Sequence, residues 1–337
     1  MHKLLNKMLI VTAIVLIVAA YMAFTVSSYM HTPLLFDKPV EIELQRGAPI
    51  RSVATQLQQK QLLHYPDYFM IWVRLNGVAT RLQAGEYTFQ PGQTLAELVD
   101  DMVNGRVRQY ALTLVEGWTF SDVLHAIQHD PILVKTLDGL DANAVMSKLG
   151  HEGEHPEGRF FPDTYFNHRQ TTDVELLQRA YRQMAMHLQQ LWDGRDSDLP
   201  FENPYEALIL ASIVEKESAV AVERPQIAGV FINRLRKGMR LQTDPTVIYG
   251  LGDSFDGNIR FRDLRKDTPY NTYTRNGLPP TPIAMPGLGA LKAVMHPQQT
   301  KYLYFVAYGD GSGRHLFSST LAEHEKAVDQ YQRKRKK

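Results

Sequence analysis

Ile42-Glu-Leu-Gln-Arg-Gly47-Ala-Pro-Ile50, Tyr87-Thr-Phe-Gln-Pro-Gly92-Gln-Thr-Leu95 and Leu112-Thr-Leu-Val-Glu-Gly117-Trp-Thr-Phe120 repeat one pattern. Before each glycine, apolar residues alternate: Ile42 with Leu44, Tyr87 with Phe89, Leu112 with Leu114. Alternation places those side chains on one face of a strand. After each glycine the period changes. Ile50/Val53/Ala54/Leu57, Leu95/Leu98/Val99/Met102 and Phe120/Val123/Leu124/Ile127 fall at helical spacing. Each unit is therefore strand, glycine turn, helix, with Thr94 and Thr119 placed to cap the second and third helices.

The first two units, with a helix over 68–73 between them, make a small α+β module. Asn104-Gly105-Arg106 breaks the pattern, so the module is expected to span 39–108. A larger domain, 109–337, opens with the third unit. Helices are expected near 123–127, 174–191, 205–218 and 226–236, the last with Ile227, Val230, Phe231 and Leu235 on one face. A loop-rich stretch over 241–289 follows, then strands over 301–307 and 315–317 joined by Gly309-Asp-Gly-Ser-Gly313. Helices mixed with short hairpin strands give an α+β class rather than a doubly wound sheet.

Upstream, 8–24 is apolar except for Thr12, and softer residues extend the run to Met30. That length suits a membrane span of about 20 residues. Lys3 and Lys7 precede it, which places the N-terminus in the cytoplasm and the remainder outside. Residues 1–30 are thus expected to form a cytoplasmic tip and single anchor, with 31–38 as linker. A cleaved signal peptide is the alternative, with Ala19-Ala20 and Ala23 as small residues at the cut.

The whole chain has 337 residues and a net charge of +1, which argues against nucleic-acid binding by bulk electrostatics. It has no cysteine, which excludes disulfides, thiolate metal sites and cysteine nucleophiles. No phosphate loop, zinc-protease or nucleophile-elbow motif occurs. The closing Arg333-Lys-Arg-Lys-Lys337 fits a solvated helix end.

Chemistry concentrates later. Ala211-Ser-Ile-Val-Glu-Lys-Glu-Ser218 carries an apolar helical stripe into a carboxylate: Leu210, Ile213 and Val214 lie behind Glu217, and Val220 and Ala221 ahead of it. None of these is basic. A carboxylic acid in apolar surroundings has its pKa raised, which is how a general acid for glycosidic cleavage is made. Glu215 points about 200° away on the helix wheel and is expected to be structural. Leu241-Gln-Thr-Asp-Pro-Thr-Val-Ile-Tyr-Gly250 and Thr268-Pro-Tyr-Asn-Thr-Tyr273 gather amides, hydroxyls and phenols, the mixture that holds sugar rings and their acetamido groups. Pro245 biases Asp244 towards an extended conformation.

These stretches, with Val230-Phe-Ile-Asn-Arg-Leu235, Gly277-Leu-Pro-Pro280, Glu157-Gly158 and Phe161-Pro-Asp-Thr-Tyr165, resemble the endolytic murein transglycosylases, the YceG-like family. The likeness covers essentially the whole chain, and the 39–108 module resembles a LysM module. The resemblance implies a lyase that cuts the β-1,4 bond between N-acetylmuramic acid and N-acetylglucosamine within nascent peptidoglycan strands. Glu217 is then the catalytic acid, and no metal or organic cofactor is implied. Asn233, Gln242, Thr243, Tyr249, Asn271 and Tyr273 are expected to line the saccharide groove, with Asp244 orienting a sugar or capping a turn. Arg234 is expected in a structural ion pair, with contact to an acidic peptide stem as the alternative. Thr281 departs from the family's frequent glycine after Pro279-Pro280. A glycan-polymerising synthase is the expected neighbour of such an anchored cutter. Two other classes stay open: a hydrolytic muramidase with Asp244 as second carboxylate, and a non-catalytic wall-binding protein.

Overall fold

In the computed structural model, residues 2–45, 47–218 and 220–333 are described; Arg46, Ala219 and most of the basic tail expected at 333–337 lie outside them. The architecture is mixed α+β with one long apolar N-terminal helix, and it divides into two compact units.

The first unit holds 1–110 together with the short segments 132–134 and 166–171. It comprises α1 (His2–Met30), β1 (Val40–Leu44), α2 (Ile50–Gln59), α3 (Pro66–Leu75), β2 (Gly85–Phe89) and α4 (Leu95–Asn104). Strands β1 and β2 pair antiparallel, with Ile42 opposite Tyr87. The alternating residues of both strands and the helical stripes behind them meet in one core: Ile42, Leu44, Tyr87 and Phe89 against Val53, Leu57, Leu98 and Met102. The turn glycines adopt positive φ, 75° at Gly47 and 86° at Gly92, where a β-carbon is disfavoured. Thr94 caps α4 in a reciprocal box with Glu97.

Segment 31–38, expected as a linker, is tied down instead. Leu34 exchanges backbone hydrogen bonds with Gln93 and Gly92 at 3.0 and 2.9 Å. Phe36 stacks on Phe89 with centroids 5.5 Å apart. Met30, the last residue of α1, is fully buried in the same core.

The second unit contains 111–113 of β3 (Tyr110–Thr113), 164–165 of β4 (Thr164–Asn167), and the helices α5 (Phe120–His129), α6 (Ala142–Leu149) and α7 (Asp173–Asp193). Then come α8 (Pro204–Glu217), α9 (Arg224–Arg236), α10 (Asp244–Leu251), α11 (Phe261–Arg265), α12 (Leu288–Met295), the hairpin β5 (Tyr304–Ala307) and β6 (His315–Ser318), and α13 (Leu321–Val328). Gly117 also has positive φ, 79°, and Thr119 caps α5, so the third strand–glycine–helix unit forms as the first two do.

Helix α8 is the centre of this unit. Every residue of the run 207–214 is buried, so α8 has no solvent face over that stretch. A helix apolar all round needs neighbours on every side. Here α7, α9, α10 and α12 supply them, with Leu210, Ile213 and Val214 packed among Ile227, Phe231, Leu291 and Val294.

Two local expectations are corrected. The helix ends at Glu217 and Ser218 is already extended (φ −127°, ψ 115°), so Val220 and Ala221 do not continue its face. Asp244 is not extended either: it is the first residue of α10, and the extended residue is Thr243 before it. Proline at the second helical position lacks an N–H that the first turn would leave unpaired anyway. The loop-rich stretch 241–289 carries the short helices α10 and α11.

Candidate active site

Glu217 is the last helical residue of α8 and opens into a groove of about 540 Å³. The groove is lined by Gln242 and Asp244 at the entry to α10, Tyr273 from the loop before Gly277, Arg234 of α9, and Tyr304 and His315 of the β5–β6 hairpin. The protein packs densely around the Glu217 carboxyl although its groove side stays open.

Burial is the largest influence on Glu217 and raises its pKa above the ordinary carboxylate value. The neighbouring Asp244 carboxylate pushes the same way, while the Thr243 hydroxyl, His315 and Arg234 pull back. A helix C-terminus carries partial negative charge from its free carbonyls, which further disfavours an anion there. Thr243 donates its hydroxyl hydrogen bond to Glu217 Oε1. Among the described residues the ion pair at this end of α8 is made by Glu215, not Glu217.

The backbone beneath is specialised. Gln242 has φ +50°, a left-handed conformation uncommon outside glycine that costs of order 1 kcal/mol. Three threonines hold it. Gln242 N–H donates to Thr272 O at 3.2 Å, and Thr243 N–H to Thr272 Oγ1 at 3.1 Å. Thr246 Oγ1 donates to Thr243 O at 2.8 Å. This turn is what points Thr243 at Glu217 while leaving the Gln242 side chain exposed in the groove. Tyr273 donates to Asp244 Oδ1 at 2.6 Å, closing the opposite wall.

The sequence-derived residues therefore separate. Glu217, Gln242, Thr243, Asp244 and Tyr273 come together. Asn233, Asn271 and Tyr249 do not line the groove. Asn233 Nδ2 donates to the carbonyls of Thr300 (2.7 Å) and Tyr302 (3.1 Å), fastening the approach to β5 onto α9. Asn271 is buried, with Nδ2 on the carbonyl of Lys266 at 2.7 Å and Oδ1 accepting Tyr273 N–H at 2.8 Å. It shapes the loop that presents Tyr273. Tyr249 donates to Glu157 Oε2 at 3.0 Å and so fixes α10 from its far end. Amides and phenols serve equally well to satisfy buried carbonyls and carboxyls as to hold sugars, and their type does not distinguish the two.

Arg234 is also corrected. Its guanidinium donates to the carbonyls of Leu303 (2.6 Å) and Leu241 (2.8 Å) and lies over the Tyr304 ring, rather than forming an ion pair. Glu215 is structural as expected: Arg224 pairs with its Oε1 at 2.6 Å and Gly287 N–H donates to Oε2 at 2.9 Å. The Thr281 hydroxyl lies 2.8 Å from that of Tyr270.

His315 went unnoticed in the sequence. It lines the groove and its Nδ1 lies 2.9 Å from Glu223 Oε2, both side chains being largely buried. A lone histidine in a short alternating strand carries no signal of this. Only the hairpin's return past Glu223, the residue before α9, brings the pair together.

The YceG-like family model matches residues 42–330. The chain belongs to the YceG-like family. It is 31% identical to the endolytic murein transglycosylase of Bacillus subtilis, over 87% of this chain and 84% of that protein. The corresponding protein of Streptococcus pneumoniae is 26% identical over 87% of this chain, which spans 58% of that longer relative. A crystal structure of a YceG-like protein from Listeria monocytogenes superposes with a TM-score of 0.54 at 29% identity, covering 86% of this chain and 99% of the other. Within this YceG-like chain, the family match takes in the small module from residue 42 onward and every groove residue named above.

Proposed function

We propose that this chain is a lytic transglycosylase acting within peptidoglycan glycan strands, with Glu217 as its acid. The observation that carries the reading is a carboxyl of raised pKa at the inner wall of an open polar groove, held by one hydroxyl and no cation.

The chemistry follows from that setting. Protonated Glu217 donates its proton to the glycosidic oxygen as the bond from C1 of N-acetylmuramic acid breaks. The sugar left behind gains oxocarbenium character. Glu217, now anionic and accepting the Thr243 hydroxyl, takes the proton from the C6 hydroxyl of that sugar. The C6 oxygen closes on C1 and leaves a 1,6-anhydro end, with no water consumed. The two steps are sequential, so one carboxylate serves both, and a second acid at a set separation is not required. Gln242, Asp244 and Tyr273 are the groove's contacts for sugar hydroxyl and acetamido groups. Breaking strands as they are made would terminate their elongation, beside a glycan-polymerising synthase.

Helix α1 supports the location. Its run Leu4–Met30 is long and apolar enough to span a membrane. We place it in the cytoplasmic membrane of a bacterium, N-terminus inside, with the second unit on the outer face. The first unit is then a LysM-like module carried directly on the anchor.

Mass spectrometry of products tests the reading. The full chain in detergent is incubated with uncrosslinked nascent glycan strands beside its Glu217→Gln variant. Anhydro ends from the parent and none from the variant are expected. Reducing ends would instead assign hydrolysis, with Asp244, which shares the groove, as second carboxylate. Intact strands retained by both proteins would leave a binding protein and sink the role of Glu217.

A further inference from the structure

Helix α3 has three faces. At roughly 100° per residue, Phe69, Met70 and Val73 cluster on one side, Asp67 and Arg74 on a narrow second, and Tyr65, Tyr68, Ile71, Trp72 and Leu75 on a third. Phe69 and Val73 are buried in the module core. The third face is apolar and aromatic, yet Tyr65 is 58% exposed, Ile71 36% and Leu75 75%. An apolar stripe of this width on the outside of a small module needs a partner.

What lies beside it indicates which. The same face abuts the end of α1. Tyr29 sets its ring edge-on to Tyr65 at 5.5 Å and to Tyr68 at 5.7 Å, and its hydroxyl accepts the backbone N–H of His64 at 2.9 Å. His31 lies edge-on to Trp72 at 6.2 Å. Met30 is buried in the core, so α1 enters the module without a free joint. The apolar run Leu4–Met30 has 27 residues. At 1.5 Å per residue that is about 40 Å, against a hydrocarbon core of about 30 Å. The surplus places the last turns of α1, with Tyr29, at headgroup depth, where tyrosine and tryptophan are favoured.

We infer that α3 lies on the membrane surface, with Tyr65, Ile71 and Leu75 in the headgroup–acyl boundary, so that the first unit rests on the lipid beside its anchor. This rests on α1 being a membrane span. An amphipathic helix lying in the interface binds in proportion to its buried apolar area, and a covalently attached span removes the entropic cost of reaching it. Asp67 and Arg74 would then face water.

The chain has no cysteine, so single reporters can be placed cleanly. Ile14→Cys, Ile71→Cys, Leu75→Cys, Asp67→Cys and Arg74→Cys variants of the full chain are nitroxide-labelled and reconstituted in vesicles of phosphatidylcholine with a minority of phosphatidylglycerol. Collision rates with oxygen and with a water-soluble nickel chelate are compared by electron paramagnetic resonance. The oxygen-to-nickel ratio at Ile71 and Leu75 is expected several-fold above that at Asp67 and Arg74, approaching that at Ile14. A lipid-like Ile14 with water-like Ile71 and Leu75 overturns the inference and leaves the span intact. Shielding of Ile71 and Leu75 from both reagents also overturns it and assigns the face to a protein partner. A water-like Ile14 overturns the span and the inference together.

Discussion

Glu157 and Glu217, both in the second unit, are buried in opposite ways. Glu157 is 3% exposed and enclosed: Phe120 N–H donates to its Oε1 at 3.0 Å and Tyr249 to its Oε2 at 3.0 Å. Burial pushes its pKa up to about 7, against the ordinary 4.5. Glu217 is also raised by burial, but it borders the groove and keeps one hydroxyl donor. A raised pKa alone therefore does not single out either carboxyl. The difference is access, together with a partner set that tolerates both charge states. Glu157 has its hydrogen bonds committed to holding α5 and α10, whereas Glu217 has a lone pair and a face left for a substrate.

The largest effect expected from this contrast is on turnover. Glu217→Gln should lower the rate of strand cleavage by about 10³-fold or more, since positioned acid–base groups contribute about 10²–10⁴. Tyr249→Phe should retain most of it. A Tyr249→Phe loss as deep as that of Glu217→Gln, measured by released fragment ends, would break the division of roles.

Stability gives the next. With its folded pKa raised above the unfolded value, Glu157 contributes stability that is full below about pH 4.5 and is lost as pH rises through about 7. At about 1.4 kcal/mol per unit, that amounts to roughly 3 kcal/mol. Glu157→Gln should flatten the fall in melting temperature across this window, and an unchanged slope by calorimetry would show that Glu157 is not the proton-linked group.

The Glu217 side of the comparison sharpens with two opposed variants. Thr243→Val removes a hydrogen bond that favours the anion, so the Glu217 pKa should rise and the alkaline limb of the cleavage profile move to higher pH. Asp244→Asn removes a like charge, so that limb should move to lower pH. Each should cost about ten-fold in rate at its optimum, the scale of one charge-assisted hydrogen bond. Shifts in the same direction would deny Glu217 the acid's role. The smallest effect separates scaffold from groove: Asn233→Ala should cost about 1–2 kcal/mol of stability through two orphaned carbonyls, with little change in KM for glycan strands.

Much of this was legible beforehand because it depends on neighbours in sequence. Strand alternation, turn glycines at positive φ and the caps at Thr94 and Thr119 are set within a few residues. Glu217 stood out because the apolar residues behind it lie on its own helix. Its forward neighbours did not, because the helix stops at Glu217. Asn233 and Tyr249 fall outside the groove because each faces a carbonyl or carboxyl more than 60 residues away, which leaves no local trace; Asn271 falls outside it because it folds back on its own loop, at Lys266 and Tyr273. His315 was missed for the same reason, its partner Glu223 being 92 residues away.

Sequence by itself thus determined the α+β class, the apolar first helix and the paired strand–glycine–helix units, all of which follow from short-range periodicity and chemistry. Tertiary structure alone decided which polar groups face the groove and which fasten the scaffold. Only packing α8 between α9, α10 and the β5–β6 hairpin sets the distances on which hydrogen bonds, burial and pKa depend.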